Sequence, residues 1–130
     1  SIRRQRQMCI RDRTKALSDG NRLRTVMALR EMTELCVCQV TGMLGLAPAT
    51  VSRHMSVLQN AGLVDSRKEG RWVYYRLSAA AKTEPVSAVM DWLGESLGRS
   101  REIRADRKYL SRIASCGAAE YCSTGACGKG

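Results

Sequence analysis

The spacing of apolar residues predicts four helices in the first half of the chain. The first, about residues 4–17, is rich in arginine and only sparsely apolar. The second runs from about residue 21 to residue 32, behind Ser18 and Asp19, which are favoured N-cap residue types. The third, about residues 38–44, follows Glu34 and Leu35. The fourth begins near Pro48.

The fourth helix has the clearest apolar stripe. Val51, Met55 and Leu58 stand at positions i, i+4 and i+7, so they share one helical face. Gly45 suits the left-handed residue that ends a helix, and Pro48 suits the first turn of the next. We therefore expect two helices joined by a tight turn, with the second packed on the first through this stripe.

A β-hairpin is predicted after residue 62, because the apolar pattern changes there. Residues 63–67 form the first strand, Gly70 lies in the turn, and residues 72–77 form the aromatic and β-branched return strand. Ser78 is a cap type, and helical spacing resumes with Pro85 at or near the start. From residue 115 onward the sequence is small and glycine-rich, so we expect one domain over residues 1–114 and a flexible, cysteine-containing tail over residues 115–130.

This order, α-α-α-α-β-β-α(-α), is that of a mainly α winged helix-turn-helix with a β-hairpin wing. Such a fold reads DNA with polar side chains early in its second helix and with basic side chains on the hairpin. The candidate residues are Thr50, Ser52, Arg53 and His54 on the helix, and Arg67, Lys68 and Arg71 on the hairpin. Taken one at a time, Thr50 and Ser52 are ordinary early-turn residues, and His54 is more often structural than a reader of bases.

Charge adds support for a nucleic-acid partner. The 130 residues contain 22 Lys and Arg against 12 Asp and Glu, a net charge of +10. That excess favours a polyanion, although a basic protein without one has the same composition. There is no apolar run long enough to span a membrane and no signal-peptide segment, so we expect a cytoplasmic protein with reduced thiols.

Six cysteines in such a chain favour metal binding or redox chemistry. Cys36 and Cys38 are soft ligands for a thiophilic ion. In a regular helix, residues i and i+2 point about 200° apart, so one ion would reach both sulfurs only if the first helical turn were unwound. The alternative is that both are small buried apolar residues.

The remaining cysteines are Cys9 near the start and Cys116, Cys122 and Cys127 in the tail. The tail spacing of five and then four residues is not that of a zinc ribbon, but the three thiols could fold around one ion. A small thiol enzyme is the competing class; it is disfavoured because no Cys-x-x-Cys motif is present, and we assign no catalytic residue.

Several segments together resemble the ArsR/SmtB family of metal-sensing repressors. They are KALSDGNRLRTVMALRE, ELCVC and LAPATVSRHMSVLQNAGLVDSRKEGRWVYYRLS, within residues 15–78. The resemblance implies a homodimer formed by the first and last helices, with operator DNA bound in the absence of inducer and released when an ion binds. It also places the reading residues named above on the recognition helix and Arg71 at the wing tip.

The segment ELCVC resembles the inducer motif of members that respond to arsenic and antimony, As(III) and Sb(III). Cadmium- and lead-responsive members, which bind Cd(II) and Pb(II), carry a similar motif. Arsenic-responsive members often have a third cysteine where this chain has Thr41, so a third sulfur would come from Cys9, from the tail or from a non-protein thiol. No cofactor is expected. A sensor in which two cysteines form a disulfide is a further alternative.

Overall fold

The computed structural model describes residues 10–113. Residues 10–16 are helical (α1), and Ala80–Lys82 form a 3₁₀ turn. The remaining elements, in chain order, are α2 (Gly20–Glu31), β1 (Leu35–Cys36), α3 (Val37–Leu44), α4 (Pro48–Asn60), β2 (Val64–Glu69), β3 (Trp72–Leu77), α5 (Val86–Leu97) and α6 (Arg101–Ile113).

The helix starts follow from their capping residues. Asp19 begins α2, because its Oδ1 accepts the backbone N–H groups of Asn21 at 2.8 Å and Arg22 at 3.2 Å. The hydroxyl oxygen of Ser78 accepts the N–H of Ala81 at 3.2 Å, at the start of the 3₁₀ turn. Both capping predictions are confirmed.

The sheet has three antiparallel strands in the order β1-β3-β2. The hairpin pairs Val64 with Leu77 at its base and Glu69 with Trp72 at its tip, which leaves a two-residue turn. Gly70, with φ of 61°, takes the first turn position, where a left-handed residue matches the twist of the strands. We call this hairpin, β2 to β3, the wing.

The sequence did not predict β1. Leu35 pairs with Tyr75 and Cys36 with Tyr74, so the segment before α3 forms the third strand of the sheet. The other elements were predicted in the right order, and the four predicted helices agree within the described range to about two residues at each end.

The core lies between the helices and the inner face of the sheet. Its fully enclosed members include Val26, Leu35, Val51, Met55, Leu58 and Leu63. The α6 helix is fastened to this core by an ion pair, since the Arg24 guanidinium donates to Asp106 through Nε at 2.8 Å and Nη2 at 2.7 Å. The same Nη2 donates to the carbonyl of Met43 at 3.2 Å, which ties α2, α3 and α6 together.

Candidate nucleic-acid interface and thiol site

The first turns of α4 present polar side chains to solvent. The apolar stripe of Val51, Met55 and Leu58 is buried, as its spacing predicted. Ser52 and Arg53 lie on the opposite, exposed side, while Thr50 is half-buried. This arrangement fixes the helix in the domain and leaves short hydrogen-bonding groups near its N-terminus, which is the geometry needed to enter a major groove.

His54 makes a hydrogen bond within the domain that the sequence did not predict. It is half-buried, and its Nδ1 lies 3.0 Å from Nη1 of Arg22 on α2. Because a guanidinium only donates, Nδ1 is the acceptor and the ring proton sits on Nε2. Arg22 itself is held by the carbonyl of Ala16, 2.6 Å from its Nε. His54 therefore helps to set the position of α4 against α1 and α2.

The wing carries the predicted basic side chains, but they differ in their surroundings. Lys68 and Arg71 are exposed at the tip, and the Arg71 guanidinium lies 4.8 Å from the centre of the Trp72 ring. Arg67, in contrast, is held on the wing. Its guanidinium contacts two carboxylates and lies 4.4 Å from the centre of the Tyr74 ring.

The contact between Arg67 and Glu34 joins the wing to the segment before β1. Arg67 donates through Nε to Oε2 at 2.6 Å and through Nη2 to Oε1 at 2.7 Å. This hydrogen bonding lowers the pKa of Glu34. A depressed carboxyl pKa means that the pair contributes to stability above the unfolded-state value, about 4.3, and loses that contribution as pH falls through the folded-state value.

Cys36 and Cys38 lie at the start of α3, shortly after Glu34 in the chain. Cys36 is extended (φ −74°, ψ 151°), fully buried, and is the N-cap residue, while Cys38 is half-buried in the first helical turn. Cys36 and Gln39 form a capping box, in which Oε1 of Gln39 accepts the Cys36 N–H at 2.8 Å. For one ion to bind both sulfurs, the chain must be extended at the first cysteine. It already is extended there, because α3 begins one residue after Cys36.

Among residues 10–113, no group of three or more His, Cys, Asp or Glu side chains is arranged to hold a metal ion. Cys9, Cys116, Cys122 and Cys127 lie outside the described residues.

Comparison with known proteins identifies the family. Residues 19–66 match the family model described as "Bacterial regulatory protein, arsR family". Over 64 residues the chain is 45% identical to the "Arsenical resistance operon repressor" of Escherichia coli (strain K12), covering 49% of this chain and 55% of that protein. This chain belongs to the ArsR family. The resemblance read from the sequence is confirmed, and so is the expectation of a regulator rather than an enzyme.

A second curated relative is named for cadmium rather than for arsenic. The chain is 48% identical over 61 residues to the "Cadmium resistance transcriptional regulatory protein CadC" of Listeria innocua, covering 47% of this chain and 51% of that protein. The match therefore spans about half the length of these two curated relatives. Among solved structures, HlyU from Vibrio vulnificus CMCP6, a transcriptional regulator, has a TM-score of 0.56 and 30% identity over 72% of this chain and 92% of that one.

The structure also brings in residues that the sequence analysis did not single out. Gln39 caps the helix that Cys36 begins, and Glu34 anchors Arg67. The sequence carries a signal for the Gln39 cap, namely a glutamine three residues after the cap residue, with cysteine in place of serine. The Glu34 contact carries none, because its partner is 33 residues away. Within residues 10–113, no helix is both long and apolar enough to cross a membrane.

Proposed function

We propose that this chain is a transcriptional repressor that binds operator DNA as a homodimer and releases it when As(III) or Sb(III) binds Cys36 and Cys38. One observation carries the proposal: Cys36 lies in a strand of the wing's sheet and is the N-cap residue of α3, and Cys38 lies in the first turn of that helix. An ion at these sulfurs therefore acts on both DNA-reading elements.

DNA binding is assigned to the exposed side of α4 and to the wing tip. Ser52 and Arg53 would reach base edges or phosphates, with Thr50 beside them, and Lys68 and Arg71 would contact the backbone or the adjacent minor groove. The net charge of +10 supplies the sequence-independent attraction that such an interface needs. His54 and Arg67 are proposed to position α4 and the wing.

Dimerisation is supported by apolar surface on the first helix and on α5. Ile10 is 58% exposed, Val89 43% and Trp92 63%, and they are the exposed large hydrophobic side chains among residues 10–113. Large apolar groups left in solvent are typical of a surface that another subunit covers. A dimer would place its two α4 helices about one DNA turn, roughly 34 Å, apart on a palindromic site.

Release is proposed to follow from the burial of Cys36. Cys36 is fully buried, so its sulfur meets an ion only if residues 34–38 move. That movement disturbs the pairing of Cys36 with Tyr74, the capping box at Gln39 and the Glu34–Arg67 contact. The wing and α4 would then lose the relative position that fits DNA.

A second candidate inducer is Cd(II) or Pb(II). The similarity to CadC, a cadmium resistance regulator, favours it as much as the Escherichia coli match favours arsenic. The number of sulfur ligands separates the two, because As(III) and Sb(III) take a three-sulfur pyramidal site whereas four-sulfur sites favour Cd(II) and Pb(II). X-ray absorption spectroscopy of the loaded protein counts these ligands directly.

Salt dependence tests the division between reading and positioning residues. Replacing Lys68 with alanine removes one phosphate contact from each subunit of the dimer. The slope of log K against log salt, measured by fluorescence anisotropy on a duplex from the chain's own upstream DNA, should therefore become shallower by about 1.8. Replacing Arg67 with alanine should leave the slope unchanged, because Glu34 and Glu69 already hold its guanidinium. An Arg67→Ala slope that falls as much as the Lys68→Ala slope would show that Arg67 contacts DNA directly.

A further inference from the structure

The outer face of α6 carries a line of exposed cations. They recur at spacings of three, four and four residues and are called the α6 stripe: Arg101, Arg104, Lys108 and Arg112. At about 100° per residue, these positions fall within about 80° of one another around the helix and extend over about 16 Å of its length. The opposite face of α6 is buried. The exposed acid of α6, Glu102, lies about 115° from the middle of the stripe, in a cleft beside the start of α2.

Most of the α6 stripe is not neutralised by the domain itself. Among residues 10–113, no ion pair includes Arg101, Arg104 or Lys108. Arg107, the residue before Lys108, lies off the stripe and donates to Glu31 at 2.7 Å. The structure therefore separates a cation that is held within the domain from its neighbour on the stripe, which faces solvent.

The stripe begins near the half of α4 that carries the reading residues. In the first turn of α6, Ile103 lines a cleft with Gly20 and Leu23, at the start of α2. The start of α2 also contacts α4, because Nη1 of Arg22 lies 3.0 Å from Nδ1 of His54. The first turn of α6 and the first half of α4 therefore lie at the same end of α2.

The later part of the stripe lies near the turn between α3 and α4. Lys108 and Arg112 line a surface cleft together with Met43, in the last turn of α3. Met43 is followed by the exposed turn at Gly45 and by the start of α4 at Pro48. Two separate contacts thus place the stripe on the part of the domain where α4 begins, which is the end assigned above to DNA reading.

Charge selects the partner that fits this surface. A second copy of the chain would present the same four cations, so contact between two stripes is repulsive. A DNA duplex instead carries one negative charge per about 1.7 Å of its axis. Cations that are spaced about 4.5–6 Å apart along a helix can therefore each meet a phosphate.

We propose that the α6 stripe is a further DNA-binding surface, which contacts backbone phosphates beside the base pairs read by α4. The proposal rests on the DNA binding proposed above and extends it beyond the helix-turn-helix and the wing. Phosphate contacts add affinity and salt dependence but carry no direct sequence information. The stripe therefore strengthens binding to every duplex without changing which sequence is preferred.

The test compares neighbouring residues of α6 that carry the same charge. In the dimer, Lys108→Ala and Arg104→Ala should each make the slope of log K against log salt shallower by about 1.8. Arg107→Ala removes the same charge from a side chain that Glu31 already holds, so it should leave the slope unchanged. Lys108→Arg, which keeps the charge, should also retain the slope. Fluorescence anisotropy of the full-length chain on a duplex from its own upstream DNA gives these slopes.

A second readout separates phosphate contacts from base reading. The ratio of affinities for the upstream duplex and for an unrelated duplex of equal length should change by less than about twofold in Lys108→Ala. A larger fall in this ratio would show that α6 takes part in sequence reading and would overturn the proposed role.

The slopes also distinguish failure of this proposal from failure of the proposed function. If Lys108→Ala and Arg104→Ala leave the slope unchanged, or if Arg107→Ala changes it equally, the α6 stripe is not a DNA contact. A shallower slope for Lys68→Ala in the same series would leave the proposed function standing. If the intact chain does not bind the upstream duplex at any salt concentration, both proposals are rejected.

Discussion

Replacing Cys36 and Cys38 together with serine is expected to abolish arsenite-triggered release of DNA and to change DNA affinity without the ion by no more than about twofold. Serine is a favoured N-cap residue, and its hydroxyl can accept the N–H that the Cys36 sulfur accepts in the capping box with Gln39. The start of α3 is therefore preserved, while the soft ligands are lost. Fluorescence anisotropy with a labelled operator duplex, with and without arsenite, measures both quantities.

The Cys122→Ser/Cys127→Ser chain is the matched control, because it makes the same chemical change at two cysteines elsewhere and should retain release. If the Cys36→Ser/Cys38→Ser chain is released by arsenite as readily as this control, the ion acts at another site. If it fails to bind DNA at all, the cysteines stabilise the fold rather than sense an ion.

Replacing Asp106 with alanine is expected to lower the free energy of unfolding by about 2–3 kcal/mol. Its side chain is 7% exposed and accepts two hydrogen bonds from Arg24, and this bonding raises the pKa of Arg24. Without the carboxylate, a largely enclosed guanidinium is left uncompensated. The loss is set below that of a fully buried pair, because the Arg24 side chain is 24% exposed. Urea unfolding followed by circular dichroism gives the value.

The exposed pair one residue further along α6 provides the comparison. Arg107 and Glu31 have side chains that are 49% and 40% exposed, so Arg107→Ala should cost no more than about 0.5 kcal/mol. Equal losses in the two variants would mean that burial does not distinguish these pairs and that Asp106 is not what fastens α6 to the core.

The sequence predicted those parts of the fold that depend on neighbours in the chain. The buried stripe of α4, the cap at Asp19 and the turn at Gly70 each have a local signature, because helix period, capping and turn geometry are decided within a few residues. For the same reason the exposed positions of Ser52 and Arg53 could be predicted as soon as Val51 and Met55 were placed inward.

What the sequence did not show depends on contacts between distant residues. A two-residue strand such as Leu35–Cys36 has no periodicity of its own and exists because Tyr74 and Tyr75 pair with it. Arginine is a residue type that often binds phosphate. The guanidinium of Arg67, however, donates to Glu34, which lies 33 residues earlier in the chain. Charge and residue type suggested the interface, but only the fold separates the side chains that face solvent from those that position the wing.

The coupling between the thiols and the wing follows from the same long-range contacts. From the sequence, helix geometry suggested that an ion would have to unwind the start of α3 to reach both sulfurs. The structure starts α3 after Cys36 and places the buried sulfur in the sheet instead. We therefore propose that ion binding detaches β1 from β3 instead of unwinding the start of α3. Because β3 belongs to the wing, this detachment links the two cysteines to the wing as well as to α4.

The most direct measurement is the affinity of the intact, reduced chain for a duplex from its own upstream DNA, at fixed salt, with and without arsenite. We expect specific binding that weakens at least tenfold, about 1.4 kcal/mol, when arsenite is added and recovers when a dithiol chelator removes it. This expectation would be contradicted if arsenite, antimonite, cadmium and lead all left the affinity unchanged, or if peroxide alone released the DNA and dithiothreitol restored binding.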